Sequence, residues 1–347
     1  MLMDSGLLIP IIFFLLNEAN VVIGYERASL IKDLMKNYNA DVRPFNNGSN
    51  PVKVWFSMTY KQLQNLNEPT QVAISLVWAR AYWTDVNLKW NASKYGYKHV
   101  EISSSKIWTP DLTLYNNANK KGGKMLDLSY KARVKSNGNV KLLCPLILES
   151  VCPMNVHKFP YDTQKCQLKI GSWAYDSSGI DLRLEPSTEG IIMSHLEKNS
   201  VWNIKLDQVS TGFINYTCCE FPFHNIIYTF EFQRKPRYYR NLIISPTLVL
   251  IFNVIVFCFP TNFNQRIFIG VTALTGQFLF LIVVSKRTPA TSDSIPLITE
   301  FIIYAQIYTI LQLLSTAFIM HLNNYQENEN VPEFCRLIRD VIVNYGT

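Results

Sequence analysis

From Val52 to Phe232 apolar and polar residues alternate with a period of two. The segments "VKVWFSM", "QVAISLVWARAYW", "LTLYN", "KARVKSNGNVKLL", "CQLKIGSWAY", "IDLRLEP" and "IIYTFEFQ" carry the pattern, separated by Gly, Asn, Pro and Ser turns. Successive strand side chains point to opposite faces, so this period predicts half-buried strands. Many short strands over such a length predict a β-sandwich of immunoglobulin-like class. Ahead of them, "YERASLIKDLMKNYN" spaces Leu30, Leu34 and Tyr38 about a turn apart, which predicts an N-terminal helix.

The pattern changes near Arg240. Three apolar stretches follow, at about 240–259, 267–286 and 295–320, each about long enough to cross a bilayer as a helix. Short links join them, which disfavours buried helices of a soluble domain. The expected organisation is a mainly β domain over 25–238, then an α-helical transmembrane bundle of three helices over 239–322. The segment "RKPRYYRN" connects the two. Residues 323–347 read as a cytoplasmic tail, with an acidic link and a short amphipathic helix, "VPEFCRLIRDVIVNYG".

The run "GLLIPIIFFLL" within the first 24 residues has the length of a signal-peptide core and is too short to span a bilayer. It lacks a positively charged leader, so an uncleaved anchor is the alternative. Sequons at Asn47, Asn91 and Asn215 also point to export and glycosylation. An exported N-terminus and three crossings place the C-terminus in the cytoplasm.

Charge and chemistry narrow the function. A net charge of +7, scattered along the chain, argues against nucleic-acid binding. His99, His157, His195, His224 and His321 show no metal spacing, and no nucleophile elbow is present, so neither an enzyme nor a cofactor is expected. Of the seven cysteines, Cys144, Cys152, Cys166, Cys218 and Cys219 precede the membrane stretches. In an oxidising compartment such cysteines form bridges, and an odd number leaves one outside them.

Several motifs together carry a resemblance. "CPMNVHKFPYDTQKC" places thirteen residues between Cys152 and Cys166 around an "FPYD" core, and "GSWAY" follows. With "WTDVNLKWN", "IWTPDLTLYN", the adjacent Cys218 and Cys219, and "PATSDSIPLI", the chain resembles the Cys-loop receptor family. Within that family it is similar to nicotinic acetylcholine receptor subunits of alpha type.

The resemblance implies a Cys152–Cys166 bridge closing the signature loop, a vicinal Cys218–Cys219 bridge, and Cys144 left as a small buried hydrophobe. It implies an agonist site for acetylcholine or a similar small cation. Tyr115, Trp173, Tyr216 and Phe223 would form one wall beside Cys218 and Cys219, since aromatic faces hold a quaternary ammonium. Trp78, with Lys141 and Leu143, would come from a neighbouring subunit's face, whereas Trp83 and Trp90 read as core. Family alpha subunits usually carry Tyr where Phe223 stands. Arg133 and Lys141 would put cations on that complementary face, which leans towards a heteromeric pentamer.

In "QRIFIGVTALTGQFLFLIVVSK" the implied pore stripe is Phe268, Thr272, Thr275, Leu279, Ile282 and Lys286. Their offsets of four, seven, eleven, fourteen and eighteen lie on one helical face. Gln265 stands where cation-selective members carry an acid, Phe268 narrows the inner end, and Thr275 replaces a gate leucine. The link "FPTNFNQR" keeps the length of the cation channels, so cation selectivity is expected. Phe159, Pro160, Arg234 and Pro289 are the implied carriers of coupling from ligand to gate. Localisation would be the plasma membrane, in a postsynaptic setting. Family subunits have a fourth membrane helix, and its lack before Thr347 makes a non-conducting binding or assembly-modulating subunit the alternative expectation.

Overall fold

The computed structural model describes residues 27–44, 50–120, 122–126, 129–260, 265–288, 294–323 and 333. The expected signal peptide, the Asn47 sequon, Pro289 and nearly all of the expected tail lie outside these residues.

Among the described residues eleven strands form two sheets, preceded by helix α1 over 27–35. In chain order they are β1 (Val52–Asn67), β2 (Val72–Lys89), β3 (His99–Ser103), β4 (Leu112–Leu114), β5 (Lys131–Lys135) and β6 (Asn137–Val151). β7 (Thr163–Ser172), β8 (Ile180–Leu184), β9 (Ile191–Ile192), β10 (Trp202–Ile214) and β11 (Phe223–Arg234) follow, and a one-turn helix, α2 (Ala92–Tyr95), lies between β2 and β3. The seven-stranded sheet runs β3-β5-β6-β2-β1-β8, with β9 also paired to β1. The four-stranded sheet runs β10-β11-β7-β4.

The period of two produces the core. Val54, Phe56, Met58 and Tyr60 of β1 are buried from one sheet, and Ile226, Tyr228, Phe230 and Phe232 of β11 from the other. Ring pairs join the layers: Phe56 meets Tyr228 at 6.5 Å between centroids, and Tyr60 meets Phe230 at 4.5 Å. Both buried tyrosine hydroxyls are satisfied, Tyr60 with Ser75 Oγ at 2.8 Å and Tyr228 by donating to the Gly190 carbonyl at 3.0 Å. Cys152, just past β6, is bonded to Cys166 of β7, so this bridge ties the two sheets together. Trp83 is 2 % exposed and Trp90 packs half-buried against the core. Cys144 is buried outside both bridges.

β11 leads through a turn at Pro236–Tyr239 into three helices: α3 (Arg240–Ile255), α4 (Gln265–Ser285) and α5 (Leu297–Asn323). With the turn that extends α3 to Cys258, each is long and apolar enough to cross a membrane. Gly270 lets α4 approach α5 closely: a Cβ there would stand 2.5 Å from Leu313 Cδ2. A second apolar cluster, with Val156 and Phe159 from the signature loop and Val284, Ile298 and Ile302 from α4 and α5, joins sandwich to bundle.

Candidate ligand-binding site and membrane path

Tyr115 and Trp173 are brought together by strand pairing. β4 pairs with β7 so that Leu114 faces Ile170, and the Tyr115 amide donates to the Lys169 carbonyl at 2.8 Å. The Tyr115 hydroxyl then reaches across and donates to the Ser172 carbonyl at 2.5 Å. Gly171 makes room for it, since a Cβ there would stand 2.3 Å from the hydroxyl oxygen. Burial, then the electrostatic influence of neighbouring Tyr216 and Asp111, raises the Tyr115 pKa, so the phenol stays a neutral donor.

Trp173 follows directly on β7, and its ring lies 6.3 Å from that of Tyr115, edge to face. The loop that carries it is held by Asp111. One carboxylate oxygen accepts from the Trp173 and Ala174 amides at 3.1 and 2.6 Å, and the other from the Ser172 hydroxyl at 2.5 Å. Trp173 is 71 % exposed, an unusual state for an indole that no core needs.

The hairpin between β10 and β11 supplies the other pair. Ile214 pairs with Phe223, and Asn225 of β11 pairs with Gly171 of β7, so the hairpin rises beside Trp173. Its tip carries the Cys218–Cys219 bridge, and Tyr216 meets Phe223 at 5.5 Å between centroids. Behind it, His224 packs on Phe213 at 4.4 Å. Thus Tyr115, Trp173, Tyr216 and Phe223 gather at one end of the four-stranded sheet. Among the described residues no side-chain cation lies over any of these rings.

Trp78, Lys141 and Leu143 do not join them. They lie on the outward face of the seven-stranded sheet, where Trp78 pairs with Pro145, Arg80 with Leu143 and Tyr82 with Lys141. Trp78 and Leu143 are exposed. The Trp78 ring already carries a cation, Lys61 Nζ at 4.9 Å, and the Tyr82 ring carries Lys141 Nζ at 5.1 Å.

Arg234, at the end of β11, is buried between two carboxylates. Nε and Nη2 donate to the oxygens of Asp162 at 2.6 and 3.0 Å, and Nη1 donates to Glu68 at 2.6 Å. Its guanidinium also stacks on Trp202 at 4.2 Å and on Phe159 at 4.9 Å. Phe159 and Pro160 are both buried, and the bond between them is cis. Nearby, the Leu297 amide donates to the His157 carbonyl at 2.9 Å, so the signature loop is bonded to the start of α5. Asn91 caps α2 and is exposed, as is Asn215.

On α4, Phe268, Thr272, Thr275, Leu279 and Ile282, with Lys286 just beyond, are all exposed. The opposite face, Gly270, Ala273, Gln277 and Val284, is buried. The Thr272 and Thr275 hydroxyls donate back to the Phe268 and Val271 carbonyls, satisfying their protons along the helix. Behind this stripe Thr309 Oγ1 is a hub, accepting from Asn253 Nδ2 and from Gln277 Nε2, each at 3.1 Å.

Sequence reasoning passed over Asp111, Asp162, Glu68, Lys61 and the Thr309 hub. Asp111 and Asp162 sit inside motifs already singled out, so an acid one or two residues after a proline was the available signal. The partners of Arg234 and the polar residues within apolar helices carried no local pattern.

Comparison with known proteins agrees with this arrangement. Residues 27–236 match the neurotransmitter-gated ion-channel ligand binding domain, and residues 242–339 the transmembrane region of the same family. The chain is 35% identical over 299 residues to the neuronal acetylcholine receptor subunit alpha-6 of Pan troglodytes, covering 85% of this chain and 59% of that relative. It is 33% identical to the alpha-3 subunit of Carassius auratus, over 85% of this chain and 57% of the relative. It is 33% identical to the human alpha-5 subunit, over 85% of this chain and 62% of the relative. The chain thus spans about three fifths of the length of these curated relatives. These relatives are receptor subunits rather than enzymes. With a disulfide-tied β-sandwich, a vicinal-cysteine hairpin over clustered aromatics and three apolar helices, the chain belongs to the neurotransmitter-gated ion-channel family.

Proposed function

We propose that the chain is a subunit of an acetylcholine-gated, nicotinic-type ion channel at the plasma membrane. In this reading the N-terminal domain is extracellular, the C-terminus cytoplasmic, and Asn47, Asn91 and Asn215 are glycosylation sites. The end of its four-stranded sheet that carries these rings is the principal half of the agonist site, and a different subunit of a heteromeric pentamer supplies the facing half. Agonist draws the Cys218–Cys219 hairpin inward. Phe159, Pro160, Arg234 and Pro289 pass the movement to α4, whose exposed stripe lines the path of cations.

One observation carries the reading. Tyr115 and Trp173 meet edge to face at 6.3 Å beside the Tyr216–Phe223 pair, and none of these rings is occupied by a cation of the described residues. Electron-rich faces with no charge of their own suit a quaternary ammonium, which has no hydrogen-bond donor. Support for the heteromer is that Lys61 and Lys141 already cover the rings on the other face.

The test is to express the chain alone and with candidate partner subunits and to record acetylcholine-evoked current. A current with a partner, lost in Trp173→Ala, is expected. Surface expression with every partner and no current with any of them overturns the reading.

A further inference from the structure

The outward face of the seven-stranded sheet holds a cavity of about 950 Å³ whose lining includes none of the rings of the aromatic cluster. Lys53, Arg133, Lys135 and Lys141 line it, with the rings of Trp55 and Tyr82 as its apolar walls. Strand alternation puts these charges there: β5 reads exposed, buried, exposed, buried, exposed, so Arg133 and Lys135 share one face with Lys131. Of the four lining cations only Arg133 has a carboxylate, Glu101 at 3.3 Å, and Arg27 shares that acid. Among the described residues no acid lies within ion-pair distance of Lys53, Lys135 or Lys141.

Two features show that the positive charge is only partly compensated. Arg133 and Lys141 are direct partners across the β5–β6 pair, and like charges so placed destabilise a sheet. The rings beside them are taken as well: Lys141 covers Tyr82 at 5.1 Å, and Arg183 covers Trp55 at 5.7 Å. An organic cation finds neither a free π face nor a counter-charge here. A carboxylate finds the reverse, a fork-shaped guanidinium that shares Glu101 with Arg27, and ammonium groups with no acid in ion-pair reach among the described residues. The volume lies within the range of small-molecule sites.

We propose that this cavity is an anion site that takes a small organic carboxylate, held by Arg133 and Lys141 between the walls formed by Trp55 and Tyr82. The site goes beyond the receptor reading and does not require it. The same carboxylate chemistry could come from an acidic side chain of a neighbouring subunit, and the test separates the two sources.

Glutarate, with uncharged glutaramide as control, is titrated calorimetrically into the full chain in detergent micelles. Tetramethylammonium is titrated in parallel as a probe of the aromatic cluster. Saturable glutarate binding is expected. Lys141→Gln and Arg133→Gln should each weaken it about tenfold, as the loss of one charge-assisted hydrogen bond does. Lys131→Gln, on the same strand but outside the cavity lining, should leave it unchanged. Unfolding midpoints at or above that of the parent show that the variants are folded. Equal binding of glutaramide, equal loss in Lys131→Gln, or no saturable heat overturns the proposal. If glutarate fails to bind while Lys141→Glu abolishes subunit association, the carboxylate belongs to the neighbour and the small-molecule source is overturned. Tetramethylammonium binding that fails while glutarate binds rejects the receptor reading alone.

Discussion

Arg234 and Asp162 form a two-pronged ion pair, Nε to Oδ1 at 2.6 Å and Nη2 to Oδ2 at 3.0 Å, with both side chains almost wholly buried. The Arg234 amide also donates to the Asp162 carbonyl at 3.1 Å. Burial opposes the guanidinium's charge, but the hydrogen bonds and charges of Asp162 and Glu68 outweigh it and raise its pKa above the ordinary value. This pair locks the signature loop to the last residue of β11, immediately ahead of α3. The contact is therefore the structural joint between sandwich and membrane helices.

Breaking that pair leaves a buried charge half-compensated. Asp162→Asn should destabilise the folded chain by about 3–5 kcal/mol, and Glu68→Gln by less, because Glu68 is the more exposed partner. Arg234→Lys should not rescue, since an ammonium cannot present two parallel donors. Thermal unfolding of the full chain in detergent measures this, and a cost below about 1 kcal/mol for Asp162→Asn would show that the joint lies elsewhere.

Asp111 holds the Trp173 loop through three donors, two amides and a hydroxyl. An asparagine there keeps one good acceptor and turns an amide towards the donors. Asp111→Asn should weaken quaternary ammonium binding about tenfold or more, the scale of losing a hydrogen bond to a charged group. Tryptophan fluorescence should shift in step as the indole loses its fixed setting. Unchanged affinity would mean that Trp173 is held by other contacts.

Gly171→Ala places a methyl 2.3 Å from the Tyr115 hydroxyl oxygen and 2.9 Å from the His224 carbonyl. Neither can retreat freely, because Tyr115 is bonded to Ser172 and His224 is in strand backbone. A stability loss of about 1–3 kcal/mol is expected, with weaker binding at the cluster. Parent-like unfolding and binding would mean that the Tyr115 ring has another resting place.

Thr309→Val keeps the volume but removes the hub, leaving the Asn253 and Gln277 amides without their shared acceptor between three helices. About 1–2 kcal/mol of bundle stability should be lost, the range for interhelical hydrogen bonds in apolar surroundings. Thr309→Ser should keep most of it. Unfolding in detergent compares the two, and a valine variant as stable as the parent rejects the hub.

His224 sits against Phe213 with Asp181 at 3.9 Å. Burial lowers its pKa below 6.5, against the pull of Asp181 and with help from Arg183. The folded chain therefore binds fewer protons than the unfolded chain once pH falls below about 6.5. Its contribution is complete at pH values above that and declines with acidification towards the depressed folded value. The unfolding midpoint should drop between about pH 7.5 and pH 5.5, and His224→Gln should flatten part of that drop. Equal slopes for parent and variant would remove His224 from the account.

Much of the fold was legible in the sequence because alternation and apolar run length are local signals. Trp78 and Trp83 are five apart, an odd offset, so one strand must point them to opposite faces, and the structure exposes the first and buries the second. The stripe from Phe268 to Lys286 could likewise be counted out residue by residue, because a helix repeats without outside help. The role of Asp111 could not be counted out in this way. Its partners lie more than sixty residues ahead and are reached only once β4 pairs with β7.

Residue order alone was enough for the two-layer β architecture, the three apolar crossings and the inventory of aromatics and cysteines. Each depends on a period or a run length that neighbouring residues set between themselves. Only the tertiary structure decided which rings meet, which cations cover Trp78 and Tyr82, and which acids hold Arg234. Those contacts join positions separated by as many as 166 residues. Sheet register and helix packing bring them together, and a minimum of free energy over the whole chain sets both.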